Sequence, residues 1–147
     1  RDFLWRISSA QVALDHSVFT HLPDYHRFLT VLEGELELQI GSGPKLPLPP
    51  LSICQFDGGV PVESWGRCKD LNLMLRKGAC TGSMEVLRLP AGSSVLPPDW
   101  DILGLYCVQG GTSWLRSGEL GLLQEPTPCR LAPAESSVFL AMKIRLL

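Results

Sequence analysis

The chain has 147 residues, of which 45% are hydrophobic and 19% charged, with a formal net charge of −2. One domain with a sizeable core is the expectation at this length. The charge balance excludes an electrostatic case for nucleic acid or an anionic membrane as partner, and no apolar run approaches the roughly 20 residues of a helical membrane span. No leader pattern is visible, though the chain opens on Arg1 rather than Met. Cys54, Cys68, Cys80, Cys107 and Cys129 are scattered, with no CxxC pair and no His at ligand spacing beside them. Such a set reads as reduced cytosolic thiols filling core space, ahead of a zinc site or a disulfide framework.

In chain order, FLWRIS (residues 3–8) fits a short strand with Leu4, Arg6 and Ser8 on one face and Phe3, Trp5 and Ile7 on the other. Residues 15–26 read as a loop punctuated by Pro23 and Asp24. RFLTVLEGELELQI (27–40) alternates apolar and polar residues and is rich in branched side chains, the pattern of a half-buried strand; Gly34 predicts a bend within it. Prolines 47, 49 and 50 exclude helix and suggest a sheet edge. LSICQF, VPVESW and LNLMLR are further strands; in the last, Leu71, Leu73 and Leu75 face one way and Asp70, Asn72 and Met74 the other. Residues 78–82 read as a break and 89–101 as a Pro/Gly/Ser loop, with MEVLRL between them. ILGLYCV, TSWLRS, CRL and SSVFLAMKIRLL complete the strands. No segment has the periodicity and caps of a helix of about 12 residues, so the fold class is all-β, a sandwich or barrel.

The second half echoes the first. Gly34 set on Gly110 defines an offset of 76, which also places Pro50 on Pro126, Ile53 on Cys129 and Val62 on Val138 without a gap. A duplication predicts two similar small barrels, with residues 1–69 as the N-terminal half and 70–147 as the C-terminal half of one unit.

VLEGELELQI and the Pro/Gly-punctuated strand after it resemble the cupin superfamily of antiparallel β-barrels, whose two motifs normally hold a divalent metal with three His and a Glu. Registered on Gly34, the Glu position is Arg27 and the HxH pair is His21 and Pro23. Gly58 matches the second motif, but its His position is Pro61; the repeat has Leu103 and Ser137 at the equivalents of Arg27 and Pro61. Neither half keeps a metal set. A guanidinium cannot ligate a cation and is suited to forked binding of a carboxylate. More narrowly, FLWRISSAQV, HLPDYHRFLTVLEG, QFDGGVPV and KDLNLMLRKG, in that order, resemble the HutD/Ves family, bacterial bicupins of the histidine-utilisation system. The family's WKNGGG-type segment ahead of WRIS is not in this sequence, and its glycine-rich loop is replaced by residues 15–24.

The resemblance implies an all-β bicupin, two packed antiparallel barrels, without cofactor or metal. It implies a role in sensing or limiting histidine degradation, with a pathway acid such as N-formylglutamate bound near the Arg that aligns with Arg27. The expected protein is a cytoplasmic, non-catalytic binder of a small carboxylate metabolite, with room for a homodimer. Its site would use Arg27 as anchor, Arg6 as second cation, Asn72 and Tyr25 as polar supports, and Tyr25 and Phe56 as walls. Arg6 could instead pair with Asp2 or Glu85, and Asp70 is expected at a water-contacting rim. His16, His21 and His26 are read as exposed loop residues. Two other readings are a metal-independent isomerase or epimerase using His21 or His26 as acid/base, and an assembly module pairing through exposed strand edges.

Overall fold

The computed structural model describes residues 3–147. These form fourteen β-strands and, among the described residues, no helix. The contacts divide them into two compact units, the first ending at Cys80 and the second running Thr81–Leu147.

In the first unit, β1 (Trp5–Val12), β3 (Tyr25–Gly34), β6 (Ile53–Asp57) and β8 (Cys68–Arg76) form an antiparallel sheet in the order β1-β8-β3-β6. A second sheet has the order β2-β7-β4-β5, from β2 (His16–Val18), β4 (Leu36–Ile40), β5 (Lys45–Leu48) and β7 (Val62–Trp65). Leu29, Val31, Phe56 and Cys68 of the first sheet and Leu36, Leu38, Leu48 and Val62 of the second share one core. The chain passes between the sheets at Gly34 and Gly66, with φ of +93° and +113°. A Cβ on Gly34 would strike the carbonyl of Arg67, and one on Gly66 the carbonyl of Glu35. Only glycine allows both this backbone conformation and this approach. The sheets remain separate ladders rather than one closed barrel.

The expected alternation in β8 is present, but both of its faces are buried, Leu71 and Leu73 as fully as Asp70 and Asn72. Because β8 pairs with β1 and β3, the first unit extends to Cys80, and position 69/70 falls within a strand.

In the second unit, β9 (Cys80–Leu89), β11 (Ile102–Gln109), β12 (Leu120–Leu123) and β14 (Ser137–Leu146) form a sheet in the order β12-β11-β14-β9, and β10 (Ser94–Leu96) pairs with β13 (Cys129–Leu131). Leu103, Leu105, Cys107, Leu131 and Phe139 lie in its core. The offset of 76 recurs around Gly34 and Gly110 but does not continue without a gap: Val62 pairs with Ile40 of the second sheet, while Val138 pairs with Gln109 of β11. The ladder of β3 shifts register between Val31 and Glu33, and that of β11 between Cys107 and Gln109, again 76 residues on. Gly34 and Gly110 both take positive φ, +93° and +79°.

Four local expectations are corrected. Residues 15–26 contain the short strand β2, and 89–101 contain β10. The break at 78–82 is only a turn, because β9 runs on through Gly82. TSWLRS is a loop: Thr112 Oγ1 accepts from the backbone N–H of Leu115 (3.0 Å) and Trp114 (3.3 Å), which folds the chain back on itself.

Candidate functional site

Along β3 the side chains of Arg27, Leu29 and Val31 share one face, and Leu29 and Val31 belong to the core. Arg27 therefore enters the interior of the first unit. Its cross-strand neighbours are Met74 on β8 and Phe56 on β6, and Met74 in turn faces Arg6 on β1. Asn72 and Asp70 follow on the same face of β8.

Arg27 is only 5% exposed. Its guanidinium carbon lies 5.3 Å from the ring centre of Phe19 and 5.2 Å from that of Phe56. Nη1 donates to the backbone carbonyl of Thr20 and Nη2 to Asn72 Oδ1, each at 3.3 Å, beyond the usual range for a charged donor. Nε is buried and has no hydrogen-bond partner. The Asn72 amide donates to Asp70 Oδ1 at 3.1 Å, and the same oxygen accepts the Ala10 N–H at 3.0 Å. Asn72 thus bridges a buried cation and a buried carboxylate.

The electrostatics follow from burial. Desolvation lowers the pKa of Arg27 from its ordinary value, opposed by the charge of Asp70. Desolvation raises that of Asp70, opposed by hydrogen bonds from Ala10 and Asn72 and by the charge of Arg27. Cys68, one register step beyond Asp70, is pushed up to about 11 by burial and by Asp70's charge.

The structure brings Arg27, Asn72 and Phe56 together. Arg6 lies on the same sheet face but is exposed, its guanidinium 5.9 Å from the ring centre of Phe3. Asp2, one suggested partner of Arg6, lies outside the described residues. The other, Glu85, lies 3.5 Å from Lys143. Tyr25 is buried against Phe3, and its hydroxyl donates to the Phe3 carbonyl (2.7 Å) and accepts from Arg76 (3.1 Å). Asp70, expected at a watery rim, is 4% exposed, because its position pairs with Val31 deep in the sheet. Phe19 and Thr20 were missed: the contact depends on the loop after β2 folding over β3, anchored by the Phe19 N–H on the Val62 carbonyl.

The histidines lie elsewhere. His16 is in β2, 3.0 Å from Glu63, and His26 is in β3, 3.1 Å from Gln55 on the face opposite Arg27; His21 alone is an exposed loop residue. The positions that correspond to cupin metal ligands thus hold one exposed imidazole, prolines and a guanidinium between two rings, a set that does not fit a divalent cation. Among the described residues no three His, Cys, Asp or Glu side chains are grouped to hold a metal. No helix there is long and apolar enough to cross a membrane.

Comparison with solved structures places the fold in the cupin class. A conserved protein of unknown function from Pseudomonas aeruginosa PAO1 superposes with a TM-score of 0.86 at 23% identity, over 99% of this chain and 84% of that one. HutD from Pseudomonas fluorescens SBW25, determined in a formate condition, gives 0.81 at 16% identity over 99% and 80%. A cupin 2 conserved barrel domain protein from Leptotrichia buccalis gives 0.65 at 10% identity over 95% and 89%. No curated protein sequence matches. The HutD family profile matches residues 1–142, and the chain belongs to the HutD family.

Proposed function

We propose that this protein is a bicupin that binds a small carboxylate-bearing metabolite at Arg27, without a catalytic metal, and acts in the cytoplasm as a sensor or regulator of histidine utilisation. The observation that carries the reading is the buried guanidinium with an unpaired Nε. A desolvated cation with a missing partner is costly to the folded protein. A ligand carboxylate removes that cost by accepting from Nε together with a neighbouring N–H, the forked geometry for which arginine is suited. The two existing bonds, both at 3.3 Å, are weak enough to yield to it. The rings of Phe19 and Phe56 flank the charge and strengthen its field by excluding water.

One charged hydrogen bond contributes about 1.5–3 kcal/mol, too little for specific binding. Asn72 supplies a second polar contact, and Arg6, in register with Arg27 across Met74, a second cation towards the edge. N-formylglutamate, with two carboxylates, is the leading candidate. His21 is exposed and His26 points away from Arg27, so nothing favours the isomerase reading.

Calorimetric titration of N-formylglutamate, urocanate, glutamate and histidine, with Arg27→Ala as control, tests the proposal. Saturable binding of at least one acid, lost in the variant, is expected. Absence of binding by all four would remove it.

A further inference from the structure

We propose that residues 19–24 are a strap gating access to Arg27, with Phe19 as the moving jaw, Phe56 as the fixed jaw and Lys77 as the latch. The inference rests on the reading that Arg27 receives the acid. Arg27 is 5% exposed and its unpartnered Nε is buried, so a carboxylate reaches that atom only after something has moved. Phe56 is paired with Arg27 in the β3–β6 ladder. Residues 19–24 join β2 to β3 and belong to no strand. Of the two walls, the strap is the one free to lift.

The strap rests lightly on the guanidinium. Its polar hold there is the 3.3 Å bond from Nη1 to the Thr20 carbonyl. The rings of Phe19 and Phe56 meet edge to face, 6.0 Å between centres. Within the strap only Phe19 and Leu22 are half-buried; the other four residues are exposed. Little burial therefore opposes its lifting, the property of segments that open while the surrounding sheets stay intact. The firmer hold is at the far end. Lys77 Nζ donates to the Pro23 carbonyl and to Asp57 Oδ2, each at 2.7 Å. Asp57 follows Phe56, so one ammonium fastens the strap to the end of the strand that carries the fixed jaw. Backbone bonds complete the seam, from Leu22 N–H to Gly58 (2.8 Å) and from Lys77 N–H to Asp24 (2.9 Å), and Phe19 N–H on Val62 (2.9 Å) marks the hinge. The seam closes because residues 58 and 59 are glycines: a Cβ on Gly58 would strike the Leu22 carbonyl, and one on Gly59 would lie 3.2 Å from Pro23 Cα. The latch itself faces solvent, with Lys77 and Asp57 side chains 43% and 48% exposed, so it holds the strap without locking it.

Phenylglyoxal, which modifies accessible guanidinium groups, reports opening without any metabolite. The full chain and Lys77→Met are treated at pH 8, and modification of Arg27 is timed by peptide mass spectrometry against Arg67, whose side chain is 67% exposed. Amide exchange of Leu22 and of the β3–β8 ladder is followed in parallel. In the parent chain Arg27 should react roughly 10-fold or more slowly than Arg67. Lys77→Met should speed Arg27 about 3- to 10-fold, and the Leu22 amide with it, while Arg67 and the ladder amides stay as they were. Arg27 reacting as fast as Arg67 in the parent chain would overturn the proposal, because nothing then covers the site. So would an Arg27 rate indifferent to Lys77→Met, or one that rises only together with exchange of the ladder amides, which marks unfolding rather than a gate. Failure of all four acids to bind in calorimetry would count against Arg27 as the receptor and leave these rates as they stand; binding of an acid with Arg27 reactivity unmoved by Lys77→Met would sink the gate alone.

Discussion

Replacing Arg27 with Met separates a residue kept for binding from one kept for stability. The substitution forfeits two long hydrogen bonds from a charged donor, about 1.5 kcal/mol each at the weak end of the range. It also forfeits two ring contacts worth about 0.5–1 kcal/mol each. Against this loss of about 4–5 kcal/mol stand three gains. Burying a guanidinium costs several kcal/mol after relaxation. The orphaned Nε adds about 1–3 kcal/mol that the variant no longer bears. The thioether then fits between the rings of Phe19 and Phe56, worth about 0.3–1.5 kcal/mol. The terms nearly cancel, and urea denaturation at pH 7 should place Arg27→Met within about 2 kcal/mol of the parent chain. Relative to the parent chain, the variant should gain stability on acidification. Asp70 already has a folded-state pKa above its ordinary value, so the folded chain binds its proton more readily than the unfolded chain does. Its ionisation therefore costs stability as pH rises from the unfolded value to the raised folded one, and the cost is constant above that. Without Arg27, whose charge lowers the Asp70 pKa, that window extends upward. A loss of more than about 4 kcal/mol at pH 7, the cost of breaking a buried ion pair, would refute the reasoning and make Arg27 a structural keystone.

Asn72→Leu removes the bridge between the two buried charges and should cost about 2–4 kcal/mol by thermal or urea melting. The cost should shrink on acidification, because Asp70, whose pKa burial raises, tolerates the lost donor once it is protonated. Gly34→Ala places a Cβ against the Arg67 carbonyl at a φ of +93° and should destabilise by about 2–4 kcal/mol, measured as a lower denaturation midpoint. For the thiols, burial raises the pKa of all five, and Cys54 is the one not fully buried. A disulfide reagent at pH 8 should therefore modify at most Cys54 in the native chain and all five after unfolding. Rapid native labelling of Cys68 would contradict the packing.

The long strands were legible because their alternation is set by burial. In LNLMLR the period of two sets Asn72 with Asp70 and Met74, opposite Leu71, Leu73 and Leu75, without knowledge of the partner strand; that Arg27, Leu29 and Asn72 share a side follows only from the pairing of β3 with β8. The bend at Gly34 and its echo at Gly110 were legible for a related reason, since glycine marks a backbone need that is local. Strands β2 and β10 have three residues each, too few to show a period. TSWLRS has strand composition, but the hydroxyl of Thr112 competes for the backbone and wins. Asp70 looked like a rim residue because a carboxylate ordinarily seeks water. Its burial is tolerated only because Ala10 of β1 and Arg27 of β3 join Asn72, two residues along β8, around it, and the first two are brought there by tertiary pairing. Phe19 could not have been assigned from a loop of twelve residues whose path depends on one backbone bond to Val62.

The most direct test watches the unpaired atom itself. In a uniformly 15N-labelled sample, the Nε–H correlation of Arg27, identified with Arg27→Met, is recorded while N-formylglutamate is added. A saturable downfield shift of that proton, as the N–H gains a carboxylate acceptor, is the result expected. A ligand that binds by calorimetry and leaves this resonance unmoved would contradict the claim that Arg27 receives the acid.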